Sequence, residues 1–554
     1  MSSRVINAGV LVNNHSLSLK RQPILKDLIT IVREGERPLN IIVGAGASMG
    51  SGLPSWARLV DNMISRIVSE PTQELIRGLE SSNLFRQAET AVQIMRGYNG
   101  NLSVGDIVRD ALYTDGRTQQ PGLLVDAIVR MSLAYGPHVR IVTTNFDNLL
   151  EQAINAMHGI GTARSFSLDN VDEWWSLDPE AQAVSILHLH GMVRQGDPPL
   201  EPLLLTESDF LAHGQDVQGV VSQLISQDVT LFVGLSMTDP NLLGPLFKRA
   251  SAEDGAANGD AFALFTPHLG EEGRSRPAAE YAVTQARYLD ERLGVRPILL
   301  KTHAQPTQVI SEMALAAAEP DRYTHSAPDS LVYGLRLQRA LEGLYEGLHV
   351  DQATGRVDED RALRYSKYLS EGLHAPGGPV ELINDTRELV ADQVMSEEEE
   401  QFSAYLWLRH IPRPSARRIT LGLIASSTYV HWLPWNGNRV AHVWAGTPYN
   451  VGKALFGGTH TLRNQTEPGA WRGFIAVPLI INGAESESQV NGQALDRLMV
   501  GAISLDTTGA VDVSDSSIPG SQVSPIARMD APQLDALLNS IEELASKFIN
   551  ELSD

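Results

Sequence analysis

Four short stretches of this sequence set chemically competent side chains directly after an apolar run. The first is Gly44-Ala45-Gly46-Ala47-Ser48, which follows Leu39 to Val43 and leads into Gly52-Leu53-Pro54-Ser55-Trp56. Glycines at a strand end let the backbone approach a pyrophosphate, and the N–H groups of the next helix can hold its charge. The same glycines serve a tight structural turn equally well. The second stretch is Thr143-Thr144-Asn145-Phe146-Asp147. Its amide can hold a ribose hydroxyl or a water and its carboxylate can orient a neighbour, although Asp147 taken singly reads most simply as the cap of a helix over Asn148 to Asn155. The third is His188-Leu189-His190-Gly191, where strand alternation puts both histidines on one face and raises a two-histidine metal site. No third ligand stands nearby in the sequence. A general base is the better use of one imidazole near neutral pH, and His188 alone reads as a satisfied core histidine. The fourth is Gly234-Leu235-Ser236-Met237-Thr238-Asp239-Pro240-Asn241, a further glycine-led turn suited to the other half of a dinucleotide. One such turn is commonplace. Four of them, carrying Ser, Asn, His and Asp toward the same edge, form a constellation.

The elements that must position these residues alternate helical stretches with short β-branched runs from about residue 22 to residue 302. The runs are Leu39 to Val43, Val139 to Thr143, Val184 to Leu189, Val229 to Val233, Ala261 to Phe265 and Val295 to Leu300. Their near-continuous apolar character predicts strands of a parallel sheet buried on both faces. Asn83 to Asp115 reads as an inserted helical layer, Ser165 to Pro179 as a loop over the sheet carrying Trp174 and Trp175, and Ser251 to Asp260 as a surface connection. Residues 303–400 read as a helical connector, in which Ser396 and Glu399 have capping-box spacing. Residues 401–554 become strand-rich again, with Ile419 to Ile424, Val430 to Leu433, Val440 to Trp444, Gly473 to Ile481 and Leu498 to Leu505. A hairpin signal at Asn436-Gly437 and a closing helix over Leu534 to Leu552 make this an α+β module.

Composition narrows the function classes. The chain has 554 residues and a formal net charge of −22, which disfavours direct nucleic-acid binding or an anionic membrane surface. Cysteine is absent, which removes disulfides, thiolate nucleophiles and every zinc site built on Cys. No apolar run reaches the roughly 18 residues of a spanning helix. The N-terminus makes a poor signal peptide, and the expectation is a soluble, cytoplasmic protein.

As an ordered set, Gly-Ala-Gly-Ala-Ser with Gly-Leu-Pro-Ser-Trp, Thr-Asn-Phe-Asp, His-Leu-His-Gly and Gly-x-Ser-x-x-Asp resembles the sirtuin-like (silent information regulator) family. The likeness covers residues 22–302 and implies an α/β, Rossmann-like parallel sheet that binds NAD. By that resemblance Gly44, Ala45, Gly46, Ser48, Pro54 and Thr144 contact the dinucleotide, and Gly234, Ser236 and Asp239 contact its adenosine half. It likewise puts Asn145 and Asp147 at the nicotinamide ribose and makes His190 the catalytic base. Two departures redirect the activity. Protein deacylases of the family carry a four-cysteine zinc ribbon, which this chain lacks, and they usually follow Gly-x-Pro with Asp-Phe-Arg where this chain has Ser55-Trp56-Ala57-Arg58. The pattern is similar to the bacterial sirtuin-like effectors of antiphage defence. That likeness implies an NAD glycohydrolase yielding nicotinamide and ADP-ribose, without a metal, in abortive infection. The other reading is a non-hydrolysing NAD or ADP-ribose sensor, or a scaffold subunit of a defence complex.

Residues 401–554 are similar in hydrophobic spacing to a GAF domain, a small-molecule sensor fold. Trp407, Trp432, Trp435, Trp444 and Trp471 lie there and suit either an aromatic pocket or a protein interface. The expected partners are NAD, further copies of the chain as a homo-oligomer, and either an ATPase or Argonaute-like protein or a small-molecule activator at this module.

Overall fold

The apolar runs that carry the four motifs fold as the middle of one parallel sheet. A computed structural model describes residues 22–79, 83–114, 119–159, 161–177, 184–251, 259–266, 276–300, 305–320, 332–351, 357–390, 401–410, 419–427, 440–443, 451, 454–455, 461–464, 473–482, 489–490, 493–494, 497–507, 511–512 and 522–552. Contacts divide the chain into two units, Met1–Leu331 with Glu487–Leu495, and Val332–Ser486 with Asp496–Asp554.

In the first unit, β1 (Leu39–Val43), β2 (Val139–Thr143), β3 (Ala163–Ser167), β4 (Val184–His188), β5 (Val229–Val233), β6 (Asp260–Phe265) and β7 (Val295–Leu299) form a seven-stranded sheet. Their order is β3-β4-β2-β1-β5-β6-β7, with every pairing parallel, so the expected Rossmann-like sheet is present. Both faces are covered. Ile41, Val43, Ile141, Ile186, Leu231 and Val233 enter one core, and Ile42, Val142, Leu187 and Phe232 enter the other. Burial on both sides is why the middles of the central strands are apolar, as in Ile41-Ile42-Val43 and Leu231-Phe232-Val233.

The edge strand β3 runs where the sequence suggests a loop. It is buried only at Phe166 and Ser167. An edge strand covered along part of its length needs no continuous apolar run, so Ala-Arg-Ser-Phe-Ser gives no strand signal. Trp174, read as part of a loop over the sheet, belongs to the short helix Val171–Trp175 and is buried in the core with Phe166 and Leu187. The helices Trp56–Ser65, Glu70–Leu79, Leu84–Tyr98, Val104–Leu112 and Leu123–Tyr135 occupy the connection from β1 to β2. Ser55, Asn83 and Ser103 start three of them by accepting the N–H groups of Arg58, Arg86 and Asp106.

The helix Gln305–Ala318 packs with Leu123–Tyr135 and Pro23–Glu34 in the first unit, while Val332–Gly347, Glu359–Leu373 and Pro379–Val390 fall in the second. The stretch read as a connector is therefore shared between the two. The second unit is built on a six-stranded antiparallel sheet ordered Val440–Val443, Ile419–Ser426, Phe402–Arg409, Arg497–Thr507, Gly473–Asn482 and Thr461–Asn464. The closing helix Ala531–Leu552 packs on it, with Phe548 against Tyr365 at 5.1 Å. The strand Phe402–Arg409 alternates buried and half-buried residues and is an addition to the strands read from the sequence. The run Val430 to Leu433, the Asn436-Gly437 turn, the Ser396 capping box, residues 252–258 of the surface connection, and Trp432, Trp435, Trp444 and Trp471 lie outside the described residues. Among the described residues, no helix is long and apolar enough to cross a membrane.

Candidate functional site

Register brings the four motifs to one edge. Val43 stands level with Thr143 and Val233, and Thr143 with His188, so the chain leaves the sheet at the same height after β1, β2, β4 and β5. Strand order reverses at β1, and the loops after β1 and β5 border the crevice where open α/β sheets take ligands. The backbone closes tightly there. Gly44 donates its N–H to Val233 O at 2.9 Å, and Gly46 donates to Gly234 O at 2.8 Å. A Cβ on Gly46 would stand 2.8 Å from Gly234 O, and one on Gly234 would stand 2.6 Å from Ala47 N. Gly234 also sits at φ +68°, which glycine adopts freely. Gly44 and Gly46 thus commit their N–H groups to the β5 loop and shape the crevice floor.

Asn145 lies on that floor. Its Nδ2 donates to Ser48 Oγ at 2.9 Å and to Gly44 O at 3.2 Å, and its backbone N–H donates to Thr143 Oγ1 at 3.0 Å. Its Oδ1 is buried and has no hydrogen-bond partner. Ser48 also bonds Asp147, whose carboxylate accepts the Leu149 N–H at 3.2 Å. Asp147 therefore helps start the helix Leu149–His158 and is tied to Ser48 as well. Burial pushes its carboxyl above the ordinary value, an effect that Ser48 and the Leu149 N–H only partly offset.

The two histidines separate. His188 ends β4 fully buried and pairs with Glu151 at 2.7 Å, so its reading as a core histidine stands, with an ionic partner added. Burial opposes a charged imidazole, but the Glu151 carboxylate prevails and raises the pKa of His188; burial likewise works against Glu151, and His188 prevails in lowering it. His190 lies past the strand end, its ring edge-on to Phe210 at 5.1 Å and tilted to Phe146 at 6.5 Å. Its Nε2 is 3.3 Å from Asp239 Oδ2, near enough for charge attraction. The angle is outside that of a hydrogen bond, and Nε2 has no other partner. Gly191 at φ +76° holds the turn, because a Cβ there would strike Pro202 O and stand 2.6 Å from Leu200 O.

Asp239 accepts the Asn241 N–H at 2.8 Å at the start of the helix Pro240–Ser251. Met237, at φ +54° and buried, turns this loop back toward His190 at a backbone cost of roughly 1 kcal/mol. The Ser236 hydroxyl is exposed and pairs with Thr238 at 2.7 Å instead of joining the Asn145 cluster. Ala45 opens a single helical turn, Pro54 precedes the cap Ser55, and Thr144 donates its N–H to Val43 O at 3.0 Å. Trp56, Phe85, Phe210 and His190 form an aromatic row with centroid steps of 5.6, 4.5 and 5.1 Å. Sequence reasoning missed Phe85, Phe210 and Glu151. Glu151 lies in the first turn of the helix that follows the Asn145 loop, and no motif marks it.

Asn145 Oδ1 and His190 Nε2 are buried polar atoms at this crevice without hydrogen-bond partners, which a polar ligand there would supply. The Cβ positions of Gly44, Gly46 and Gly234 are taken by the facing loop, so these glycines shape the floor through that contact. Among the described residues, no group of three or more His, Asp or Glu is placed to hold a metal.

The parallel sheet and the crevice at its switch point make this unit an α/β domain of Rossmann-like architecture. The SIR2-like domain family matches residues 139–297 of the chain. A relative is Defense-associated sirtuin 2 of Bacillus subtilis, 27% identical over 224 residues. The match covers 39% of this chain and 20% of that protein, so the chain corresponds to about a fifth of its length.

Proposed function

We propose that the first unit is an NAD glycohydrolase acting in bacterial antiphage defence by abortive infection. The observation that carries this reading is the pair of buried, unpartnered atoms, Asn145 Oδ1 and His190 Nε2, beside a glycine floor at the switch point. The name and partial likeness of the Bacillus subtilis relative support the defence setting.

Gly44, Gly46 and Gly234 let the pyrophosphate lie close to the backbone, with Ala45, Pro54 and Thr144 along its path and Ser236 toward the adenosine. Asn145 Oδ1 accepts a hydrogen bond from a ribose hydroxyl or the attacking water, while Ser48 and Gly44 hold its amide. The C1′–N bond to nicotinamide breaks with its electron pair leaving on the nicotinamide nitrogen, and an oxocarbenium-like sugar forms. Water oxygen bonds to C1′ and gives its proton to His190, so NAD and water yield nicotinamide, ADP-ribose and a proton. Asp239 stabilises the imidazolium that results.

Unrestrained NAD cleavage would kill its host, so the second unit is assigned as the sensor or dock that releases the activity. Its antiparallel sheet with packed helices supports a GAF-like reading. A homo-oligomer, a small-molecule activator and an ATPase or Argonaute-like partner belong to this proposal, as does a cytoplasmic location. The test is calorimetric NAD binding by the full chain, followed by chromatographic detection of nicotinamide in the same samples. Binding with nicotinamide accumulating supports the hydrolase, whereas binding with no release under any activating condition leaves a sensor.

A further inference from the structure

His188 is buried behind the pocket, outside direct reach of substrate, and both of its ring nitrogens are engaged. Nδ1 is 3.3 Å from the main-chain carbonyl of Asn145, and Nε2 is 2.7 Å from Glu151 Oε1. A carbonyl only accepts, so Nδ1 carries a hydrogen. Nε2 then faces a carboxylate with one proton between the two groups. Glu151 Oε1 also accepts the Ser165 hydroxyl at 2.7 Å, and Ser165 Oγ accepts from Arg194 Nη2 at 3.1 Å. The residues come from four different places in the chain: the edge strand β3, the end of β4, the helix after the Asn145 loop, and the turn beyond His190.

We propose that Arg194, Ser165, Glu151 and His188 form a positioning chain that holds the main chain of Asn145 from behind the sheet edge. Asn145 is gripped on two sides. Ser48 and Gly44 take its side-chain amide in front, and His188 takes its carbonyl behind. With both ends fixed, Oδ1 stays aimed at the nicotinamide ribose instead of swinging with the loop. A buried ion pair is a weak contributor to net stability, since apolar residues of equal volume often serve as well, and fixing one geometry is its better-attested use.

The catalytic consequence rests on the NAD-hydrolysis reading, while the grip on Asn145 does not, and the test separates them. Amide hydrogen exchange is measured on the full chain for the parent, His188→Leu and His188→Gln. Loss of the chain in His188→Leu should speed exchange at Asn145 to Asp147 at least tenfold, with β5 unchanged. His188→Gln, which can still donate to the carbonyl, should return it to within threefold of the parent. If His188→Leu loosens the whole sheet, Glu151→Gln and Ser165→Ala, which keep the volume, carry the test, and acceleration should again be confined to residues 145–147. Unchanged exchange there in a folded variant overturns the proposal. Where the parent releases nicotinamide, His188→Leu, Glu151→Gln and Ser165→Ala should lose at least tenfold in kcat with NAD affinity within threefold, His188→Gln should stay near the parent, and an equal loss in a site-distant stability control overturns the positioning role. A parent that binds NAD without releasing nicotinamide defeats the hydrolysis reading alone, because the exchange result still decides the chain.

Discussion

Replacing Gly234 with alanine tests whether the contact of the β1 and β5 loops builds the crevice. Gly35 provides the control. It ends the helix Pro23–Glu34 at φ +65°, nearly the same backbone conformation as Gly234 at φ +68°, but a Cβ there would have nothing within 4 Å. At Gly234 the Cβ would lie 2.6 Å from Ala47 N and 3.0 Å from Gly44 O, and both neighbours are backbone that cannot rotate away. Gly35→Ala therefore carries only the left-handed penalty, about 1 kcal/mol. Gly234→Ala adds an overpacking cost of roughly 1 to 3 kcal/mol, about 2 to 4 kcal/mol in all. That sum shifts the closed crevice toward an opened one by roughly 30-fold to 1,000-fold at 1.4 kcal/mol per decade. The assay is urea unfolding of both variants, read by hydrogen exchange in the β1 and β5 peptides, with NAD titrated on the same samples. Equal losses in the two variants would refute the reasoning, because the backbone contact would then contribute nothing.

Further outcomes follow from the same geometry. Asp239→Asn keeps the acceptor for the Asn241 N–H but removes the charge 3.3 Å from His190 Nε2. Nicotinamide release should fall by about tenfold to a hundredfold with the melting temperature unchanged, and a full-rate variant would leave Asp239 a helix cap only. The Glu151–His188 pair makes a pH prediction for stability. His188 lies above its ordinary 6.5 and Glu151 below its ordinary 4.5, so the pair contributes fully between those values. The contribution persists above 6.5 until the pH climbs through the raised value of His188, and on the acid side it is lost as the pH falls through the lowered value of Glu151. The melting difference between the parent and His188→Gln should be widest between about pH 5 and 6.5 and should narrow on the alkaline side; a difference that stays constant from about pH 5 through the alkaline side contradicts the ion pair.

The central strands were legible because a sheet buried on both faces demands uninterrupted apolar runs, as in Ile41-Ile42-Val43 and Leu231-Phe232-Val233. Edge position hid β3, whose covering is partial and whose sequence is correspondingly mixed. The site was legible residue by residue where a motif sits at a strand end, since register alone then delivers Asn145, His190 and Gly234 to one edge. What escaped were partners recruited from elsewhere. Phe85 and Phe210 come from helices distant in sequence, and Ser165 on β3 meets Glu151 on the helix Leu149–His158. Asp239 was read as an adenosine contact on its motif, and its carboxylate lies 3.3 Å from His190 Nε2.

The central claim is that Asn145 and His190 at the β1–β5 crevice break the nicotinamide bond of NAD. The most direct test is nicotinamide release by the full chain beside Asn145→Ala and His190→Ala, with NAD binding measured on each. The account predicts release by the parent and its loss in both variants while each still binds NAD. Release that survives either substitution, or a parent that does not bind NAD, would contradict it.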